Sequence, residues 1–197
     1  MRSLHKRSNT VHIAVIALVA AVISACAEPP EEEMAAARQA VERAQANEDV
    51  RQFALESLED AQQLLSDMES AADDEAYDSA RSLAIETRDA AEQAVEDAET
   101  AKTAARDRAQ QAVDAARESL EEARATLEDA RDVAGIDLDI ASVEADLDDA
   151  DEVVAQAESE LDAERYSDAE TTAENGRATI SDIVRRISDA VQAASGK

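Results

Sequence analysis

The chain has 197 residues, a formal net charge of −28 and only 2% aromatic residues, and alanine supplies most of its hydrophobic content. Such a charge excludes unaided binding to nucleic acid or to anionic lipid head groups, because both are polyanions. Since His5 and His12 lie within the first 25 residues and Cys26 is the single cysteine, the rest of the chain cannot form an internal disulfide, a zinc site of the usual His/Cys type or a histidine-based acid–base pair.

The first 25 residues are typical of an export signal. Arg2, Lys6 and Arg7 form a short positive head, and residues 11–23 are apolar except for His12. A membrane-spanning helix needs ~20 apolar residues, so this shorter stretch favours the apolar region of a signal peptide. Its removal takes away three positive charges and no negative one, which leaves a net charge near −31.

The segment Ile23-Ser24-Ala25-Cys26 resembles the lipobox of bacterial lipoproteins, in which small residues precede an obligatory cysteine. The resemblance implies that the Cys26 thiol is alkylated with diacylglycerol, that the chain is cut before Cys26 and that the new amino terminus is acylated. Ala27, in place of the aspartate that retains lipoproteins in the inner membrane, favours the periplasmic face of an outer membrane. The alternative is an ordinary signal peptide, because Ala25-Cys26-Ala27 also fits a small-x-small cleavage pattern that would release a chain starting at Glu28.

Residues 26–30 are predicted to form the lipidated N-terminus and a short linker, and helices follow. Apolar residues recur at alternating spacings of three and four, which is typical of coiled-coil seams. The predicted helices span residues 34–44, 54–72, 77–101, 116–130, 140–161 and 166–190. Short polar breaks at residues 47–49 and 73–75 predict antiparallel neighbours.

The chain contains an internal repeat. Residues 37–44 match residues 123–130, and residues 58–61 match residues 147–150. Tyr77 and Ala80 match Tyr166 and Ala169 in the same way, and Gly135 marks a longer connector in residues 133–139. No breaker separates Tyr77 from Val133, but the seam slips near residues 102–108, which predicts a stutter or bend rather than a loop.

Together these patterns predict an all-α fold of two tandem three-helix antiparallel bundles, coiled-coil-like and spectrin-like, that share a long continuous helix. Repeat 1 is assigned to residues 31–104 and repeat 2 to residues 105–197. We expect repeat 2 to be the better packed, because the isoleucines are concentrated in it. Gly176 and the seam alanines should allow close approach of the helices.

The mature chain resembles a family of unnamed function among Ala-rich helical lipoproteins of the bacterial envelope, some of which continue into an OmpA-like domain. The resemblance is carried by residues 31–43, by Leu58-Glu59-Asp60-Ala61 and by Ala76-Tyr77-Asp78-Ser79-Ala80 followed by Leu83-Ala84. It implies a place in the cell envelope, and it implies no catalytic residues and no cofactor.

Acidic clusters at residues 73–75 and 148–152 predict diffuse cation binding rather than a metal site, because no loop brings six to eight oxygens together. Tyr77 and Tyr166 are each expected to cover the end of a bundle core with a solvated hydroxyl. A carboxylate pair working alone needs a cleft, which a narrow alanine-seamed bundle does not offer, so we expect no enzyme activity.

The sequence therefore predicts a lipid-anchored envelope protein with a structural or interaction role as a spacer or scaffold. Two alternatives stay open. Lys197 follows the flexible Ala194-Ser195-Gly196 and resembles the C-terminal lysine through which murein lipoproteins are joined to peptidoglycan. The bundles could instead form an assembly or chaperone-like module that binds another envelope protein through an exposed seam, and self-association through the same heptads is equally open.

Overall fold

A computed structural model of the protein describes residues 28–196, and this part of the chain is all-α, with no strand among the described residues. The predicted all-α class is therefore confirmed for this part of the chain. The helices are α1 (Glu31–Ala46), α2 (Glu48–Phe53), α3 (Leu55–Asp73), α4 (Tyr77–Arg131), α5 (Ile140–Asp162) and α6 (Tyr166–Ser195). The chain divides into two compact units, unit 1 up to Ala98 and unit 2 from Glu99, a few residues before the predicted boundary of the repeats.

Helix α4 contains that division and runs for 55 residues without a loop. In its second half the buried residues Ala105, Ala109 and Val113 follow each other at intervals of four, and the alternation of three and four resumes from Ala116. Two successive intervals of four move the buried stripe by one position around the helix, as a stutter does in a coiled coil. The slip that the sequence pattern predicts is thus present inside a continuous helix.

Unit 1 packs α1, α3 and the first part of α4 around alanine-rich clusters. Met34, at the start of α1, shares one cluster with Met68 near the end of α3. Ala44, near the end of α1, shares a second cluster with Leu58 near the start of α3. Because the start of one helix meets the end of the other, α1 and α3 are antiparallel. The core of unit 1 therefore consists of two separate groups of mostly small side chains.

The predicted break at residues 47–49 contains a short helix, α2, that the sequence pattern did not reveal. The Asn47 side chain accepts a hydrogen bond from the Asp49 backbone N–H at 2.9 Å, which caps the first turn of α2. Val50 is fully buried in the unit 1 core. The connector thus supplies a core residue as well as reversing the chain direction.

Unit 2 packs the second part of α4 against α5 and α6 around one continuous cluster, whose larger side chains include Leu120, Leu147, Ile180 and Ile187. The connector before α5 also contributes, because Ile136 packs against this cluster. Such a core buries more apolar surface per residue than the alanine clusters of unit 1. This agrees with the expectation that repeat 2 is the better packed.

Ion pairs at heptad spacing join α4 to α5. Arg124 Nη2 lies 3.0 Å from Asp151 Oδ2, and equivalent pairs join Arg117 to Glu158 and Arg131 to Glu144. The residue number rises by seven on α4 at each step and falls by seven on α5, so the two helices are antiparallel and in register. Arg186 of α6 pairs with Asp146 of α5, and Gly176 lies close to Val153, so α6 and α5 are antiparallel as well.

Gly176 of α6 lies close to the side chains of Val153 and Val154 on α5. A Cβ atom at this position would lie 3.3 Å from Val153 Cγ1 and 3.8 Å from Val154 Cγ2. An ordinary carbon–carbon contact is longer than the first of these distances, so a side chain at position 176 would require the Val153 side chain to shift by a few tenths of an ångström. The sequence-based expectation that Gly176 permits close approach is met.

The internal repeat extends to the turns that end α3 and α5. Glu75 and Glu164 both adopt left-handed backbone conformations, with φ values of 58° and 59°. In both turns the amide after the left-handed residue donates a hydrogen bond to a carbonyl five positions earlier, namely Ala76 N to Ala71 O and Arg165 N to Glu160 O, each at 2.9 Å. This is the Schellman motif, in which glycine usually occupies the left-handed position.

We predict that Leu58→Ala destabilises unit 1 by about 2 to 4 kcal/mol, because it leaves a cavity in an already sparse core. Leu58 is 3% exposed, whereas Leu55, one helical turn earlier on α3, is 54% exposed. Leu55→Ala is therefore the matched control and should change the free energy of unfolding by less than about 0.5 kcal/mol. Urea denaturation followed by circular dichroism measures both, and equal losses would contradict the packing described here.

We predict that Glu75→Gly stabilises unit 1 by about 1 kcal/mol, because a left-handed backbone strains any residue that carries a Cβ. Asp74→Gly is the control. It removes the same charge from the same turn, but Asp74 has a φ of −79° that gains nothing from glycine. Thermal unfolding should show a higher midpoint for Glu75→Gly and an unchanged or lower one for Asp74→Gly; the same shift in both would rule out strain as the cause.

Candidate functional site

The sequence predicts covalent attachment at Cys26 and at Lys197. Both residues lie outside the described residues, as does the predicted signal peptide. The part of the structure that bears on Cys26 is the start of unit 1, residues 28–37. We call this segment the proximal end, because it follows the predicted anchor directly.

The proximal end turns into a helix almost at once. Pro30 is fully buried and occupies the cap position of α1. Its carbonyl accepts the Met34 backbone N–H at 3.0 Å, and the Pro29 carbonyl accepts the Glu31 N–H at 2.8 Å. Three acids, Glu31 to Glu33, fill the first turn, where negative charge interacts favourably with the helix dipole. Proline followed by acids thus starts α1 at Glu31.

The first turn of α1 is packed rather than frayed. Met34 and Ala37 are buried in one cluster with Met68 of α3 and with Ala80 and Ala84 of α4. Helices α3 and α4 therefore hold the beginning of α1. Residues 27–30 are the only ones between Cys26 and this packed turn.

An ion pair that the sequence did not reveal fixes the proximal end to α4. Arg81 Nε donates a hydrogen bond to Glu33 Oε1 at 3.1 Å. The pKa of Glu33 is lowered, first by a hydrogen bond from its own backbone N–H and then by the bond from Arg81. Because these residues lie 48 positions apart, periodicity along one helix carries no signal for the pair.

The acidic clusters form no metal site in the described part of the chain. Asp73 and Asp74 lie at the end of α3, and Asp148 and Asp151 pair with Arg124 across the unit 2 seam. No three side chains of the types that bind metals converge among residues 28–196. The tyrosines begin their helices as the sequence indicates, with Tyr77 half-buried and Tyr166 buried.

Open grooves run along unit 2. One, of about 490 Å³, lies between α4 and α6, where its lining includes Ser119, Glu122 and Thr126 on one side and Ser181 and Val184 on the other. Its lining is mixed, with hydroxyl side chains, the apolar Ile180 and Val184, and two ionisable groups, Glu122 and Arg177. The groove is a shallow seam between two helices.

One buried acid was missed by the sequence pattern. The predicted seam of α5 ends with Ala157 and Leu161, but the structure buries Glu160 and leaves Leu161 half-buried. The buried stripe therefore advances by three positions at the last step, where the pattern of apolar residues indicates four. The sequence pattern did not predict this shift, because Leu161 is apolar and an acid such as Glu160 is not expected in a core.

None of the helices among residues 28–196 is both long enough and apolar enough to cross a membrane.

Comparisons with protein-family models, with curated proteins and with solved structures find no match to this chain. The resemblance to Ala-rich envelope lipoproteins therefore stays a prediction from the sequence.

We predict that added salt raises the melting temperature. All 47 acids lie in residues 28–196, while Arg2, Lys6, Arg7 and Lys197 lie outside and leave 15 basic residues, a net charge of −32. Salt weakens the cross-helix pairs but relieves much more repulsion, so the midpoint should rise between about 0.05 and about 0.5 M NaCl.

Circular dichroism melts measure this rise, and a fall would mean that the ion pairs dominate. Calcium added at about 1 mM in the higher salt should shift the midpoint no further, because screened diffuse binding is then saturated by sodium. A saturable calcium shift would instead reveal a specific site.

Proposed function

We propose that this chain is a lipoprotein of the cell envelope, anchored by lipid on Cys26 at the periplasmic face of the outer membrane, with a non-catalytic role as a helical spacer or scaffold. The observation that carries the proposal is the order of features before the fold: a positive head, a short apolar run, small residues, and then the single cysteine. A free cysteine with no anchoring role would have no reason to fall at this position.

The geometry of the proximal end supports an anchor at Cys26. A packed helix begins at Glu31 and Pro30 is already buried, so residues 27–29 provide a linker that reaches ~10 Å when fully extended. A lipid on Cys26 would hold unit 1 close to the membrane surface. An anchor placed before a long disordered segment would leave the folded part free to move away.

The charge of the chain supports the need for lipid. With a net charge of −32 in residues 28–196, the folded part has no electrostatic attraction to an anionic surface. Each buried acyl CH₂ contributes ~0.8 kcal/mol, so two or three acyl chains give stable attachment where one does not. Membrane association would then depend on the lipid alone.

The proposed role is structural because residues 28–196 present extended helical surfaces and no cluster of three potential metal-binding side chains. Beyond residue 25 it contains neither histidine nor tryptophan. The pKa of Glu33 is lowered by hydrogen bonds from its own backbone N–H and from Arg81, and the pKa of Asp97 is lowered by hydrogen bonds from Gln93 and Ser57. Another envelope protein or peptidoglycan is the partner class that such surfaces suit, and nucleic acid is not.

We predict that Cys26→Ser abolishes lipid attachment. The full chain is produced in a Gram-negative host fed an alkyne-tagged fatty acid, and labelling is measured together with the mass of the N-terminal peptide. The wild-type chain should be labelled, membrane-bound and modified at Cys26. Cys26→Ser should lose the label, because no other thiol is present.

The matched control is Ser24→Ala, which keeps a small residue before the cysteine and should be labelled like the wild type. An unmodified wild-type chain beginning at Glu28 would overturn the lipoprotein assignment, since it would mean that an ordinary signal peptidase had acted. Labelling of the Cys26→Ser chain would overturn the choice of residue.

The same cells test attachment to peptidoglycan through Lys197. Sacculi boiled in detergent would retain the wild-type chain and release Lys197→Arg if this lysine forms the link. Lys102→Arg is the control, because Lys102 is the one other lysine after residue 25. Complete release of the wild-type chain would exclude the tether and leave the lipid anchor unaffected.

A further inference from the structure

Within unit 2, helix α4 has two edges of different chemistry. The edge that faces α5 carries Arg117, Arg124 and Arg131, each paired with an acid of α5. The opposite edge has half-buried, uncharged residues at the same heptad spacing, namely Ala112, Ser119, Thr126 and Val133. The last three of these line cavities that α6 closes on the other side, so this edge faces α6.

The groove between α4 and α6 is long enough for a helix. The cavity of about 490 Å³ described above is followed along the same two helices by one of about 310 Å³, and Thr126 lines both. From Ser119 to Val133, α4 rises ~21 Å, which is about four helical turns. Val184 and Val191 pack against the unit 2 core and also line these cavities. We call the two cavities together the α4–α6 groove.

The other two grooves of unit 2 are lined by charged residues that pair with each other. Arg131 and Glu144 line the groove between α4 and α5, and they form an ion pair across it. Asp146 and Arg186 do the same between α5 and α6. The α4–α6 groove is therefore the one whose lining is mainly hydroxyl and aliphatic.

The small number of charges in this groove is specific to unit 2. Three of its serines occupy positions at which the repeat places glutamate in unit 1, namely Ser119 for Glu33, Ser181 for Glu92 and Ser188 for Glu99. The surface around them is strongly acidic, because residues 99–196 contain 26 acidic and 10 basic residues, a net charge of −16. Serine in place of glutamate removes repulsion and desolvation cost from a surface that another helix is to cover.

The charges that flank the groove indicate the kind of helix that fits it. Glu122 and Asp129 line its α4 side, whereas Ser181 and Ser188 line its α6 side. A second copy of this chain would bring another acidic surface against these carboxylates. Charge complementarity therefore favours a partner whose flank next to α4 is basic.

We propose that the α4–α6 groove docks one amphipathic helix of another protein, with small or aliphatic residues at its seam positions and lysine or arginine on the flank next to α4. The seam residues cover Val184 and Val191, and the basic flank meets Glu122 and Asp129, so that unit 2 becomes a four-helix arrangement. This inference rests on the scaffold role proposed above and names the partner of that role. It does not depend on lipid at Cys26, whose modification is measured separately.

A synthetic helix tests the groove. The probe is a fluorescein-labelled peptide of about four heptads, with leucine and alanine at the seam positions and lysine at the flanks. The controls are a peptide of the same composition in scrambled order and one with glutamate at the flanks. The full chain is used as a Gram-negative host produces it, in non-ionic detergent, and the mass of its N-terminal peptide is recorded.

Fluorescence anisotropy in ~0.15 M NaCl should show the lysine-flanked peptide binding at least about 10-fold more tightly than the scrambled one. The glutamate-flanked peptide should bind more weakly than either. Equal affinities of the first two peptides would mean that net charge alone causes binding, which would overturn the proposal. Tight binding of the glutamate-flanked peptide would overturn the choice of a basic flank.

Substitutions locate the binding surface. Thr126→Arg places a long side chain in the groove and should weaken binding of the lysine-flanked peptide at least about 10-fold. Ala125→Arg is the matched control, because it adds the same charge at the exposed neighbouring position and should change the affinity less than about 2-fold. Equal losses would overturn the role of the groove. Ser181→Arg repeats the test at an exposed position, where the fold tolerates the new side chain.

Two further measurements decide where the peptide binds and whether the chain binds itself. Amide NMR signals of Ser119, Thr126 and Val184 should shift when the peptide is added, and those of Glu144 and Leu147 in the groove between α4 and α5 should not. Larger shifts at the second pair would overturn the proposed site. Sedimentation without peptide should show a monomer, and a dimer that Thr126→Arg dissociates would assign the groove to a second copy and overturn the choice of partner.

Discussion

The structure depends on the burial of alanine. Of the 34 buried hydrophobic residues in the described part of the chain, 19 are alanine. An alanine removes little apolar surface from water, so a core of this kind gains stability only when helices are long and approach closely. The high helix propensity of alanine supports the length, and the absence of larger side chains permits the approach. The contact between Val153 and Gly176 shows how little space is left between α5 and α6.

This constraint explains why charge is arranged as it is. Helices that expose so many acids repel each other, and an alanine seam supplies little energy to oppose the repulsion. Arginines therefore lie at heptad spacing on the edge of α4 that faces α5, each opposite an acid. An exposed pair contributes only about 0.2 to 1 kcal/mol, so the series does less for stability than for choosing one antiparallel register among many similar alanine seams.

Much of this fold is predictable from the sequence because its signals are periodic. Spacings of three and four give the helices, and the uninterrupted stretch after Tyr77 gives the continuous α4. Unpredicted features depend on local geometry or on partners distant in sequence. The polar residue Asn47 predicts an interruption between helices, but its side chain caps the new helix α2. Glu75 and Glu164 occupy positions where glycine is usual, and only their equivalence in the repeat could have indicated a shared turn.

The candidate sites divide along the same line. Cys26 is visible in the sequence because a processing enzyme reads a short local motif, and no tertiary structure is needed to recognise it. The burial of Glu160 cannot be predicted from a local motif, because it results from a shift of the buried stripe at the last turn of α5. A pattern that seeks apolar residues selects Leu161 instead. The spacing of apolar residues therefore predicts the helices, but it does not predict a buried polar group that lies off the apolar stripe.

The linker, the acids and the lipid also act on one another in the proposed lipoprotein. Screening in ~0.15 M salt confines strong charge repulsion to about 8 Å, and the three residues between Cys26 and the buried Pro30 reach ~10 Å when extended. The acids at residues 31–33 can therefore stay beyond the repulsive zone of an anionic surface while the acyl chains remain inserted. A linker one or two residues long would press the first turn of α1 into that zone. The segment between Cys26 and Pro30 is thus long enough to relieve the repulsion and short enough to keep unit 1 at the membrane.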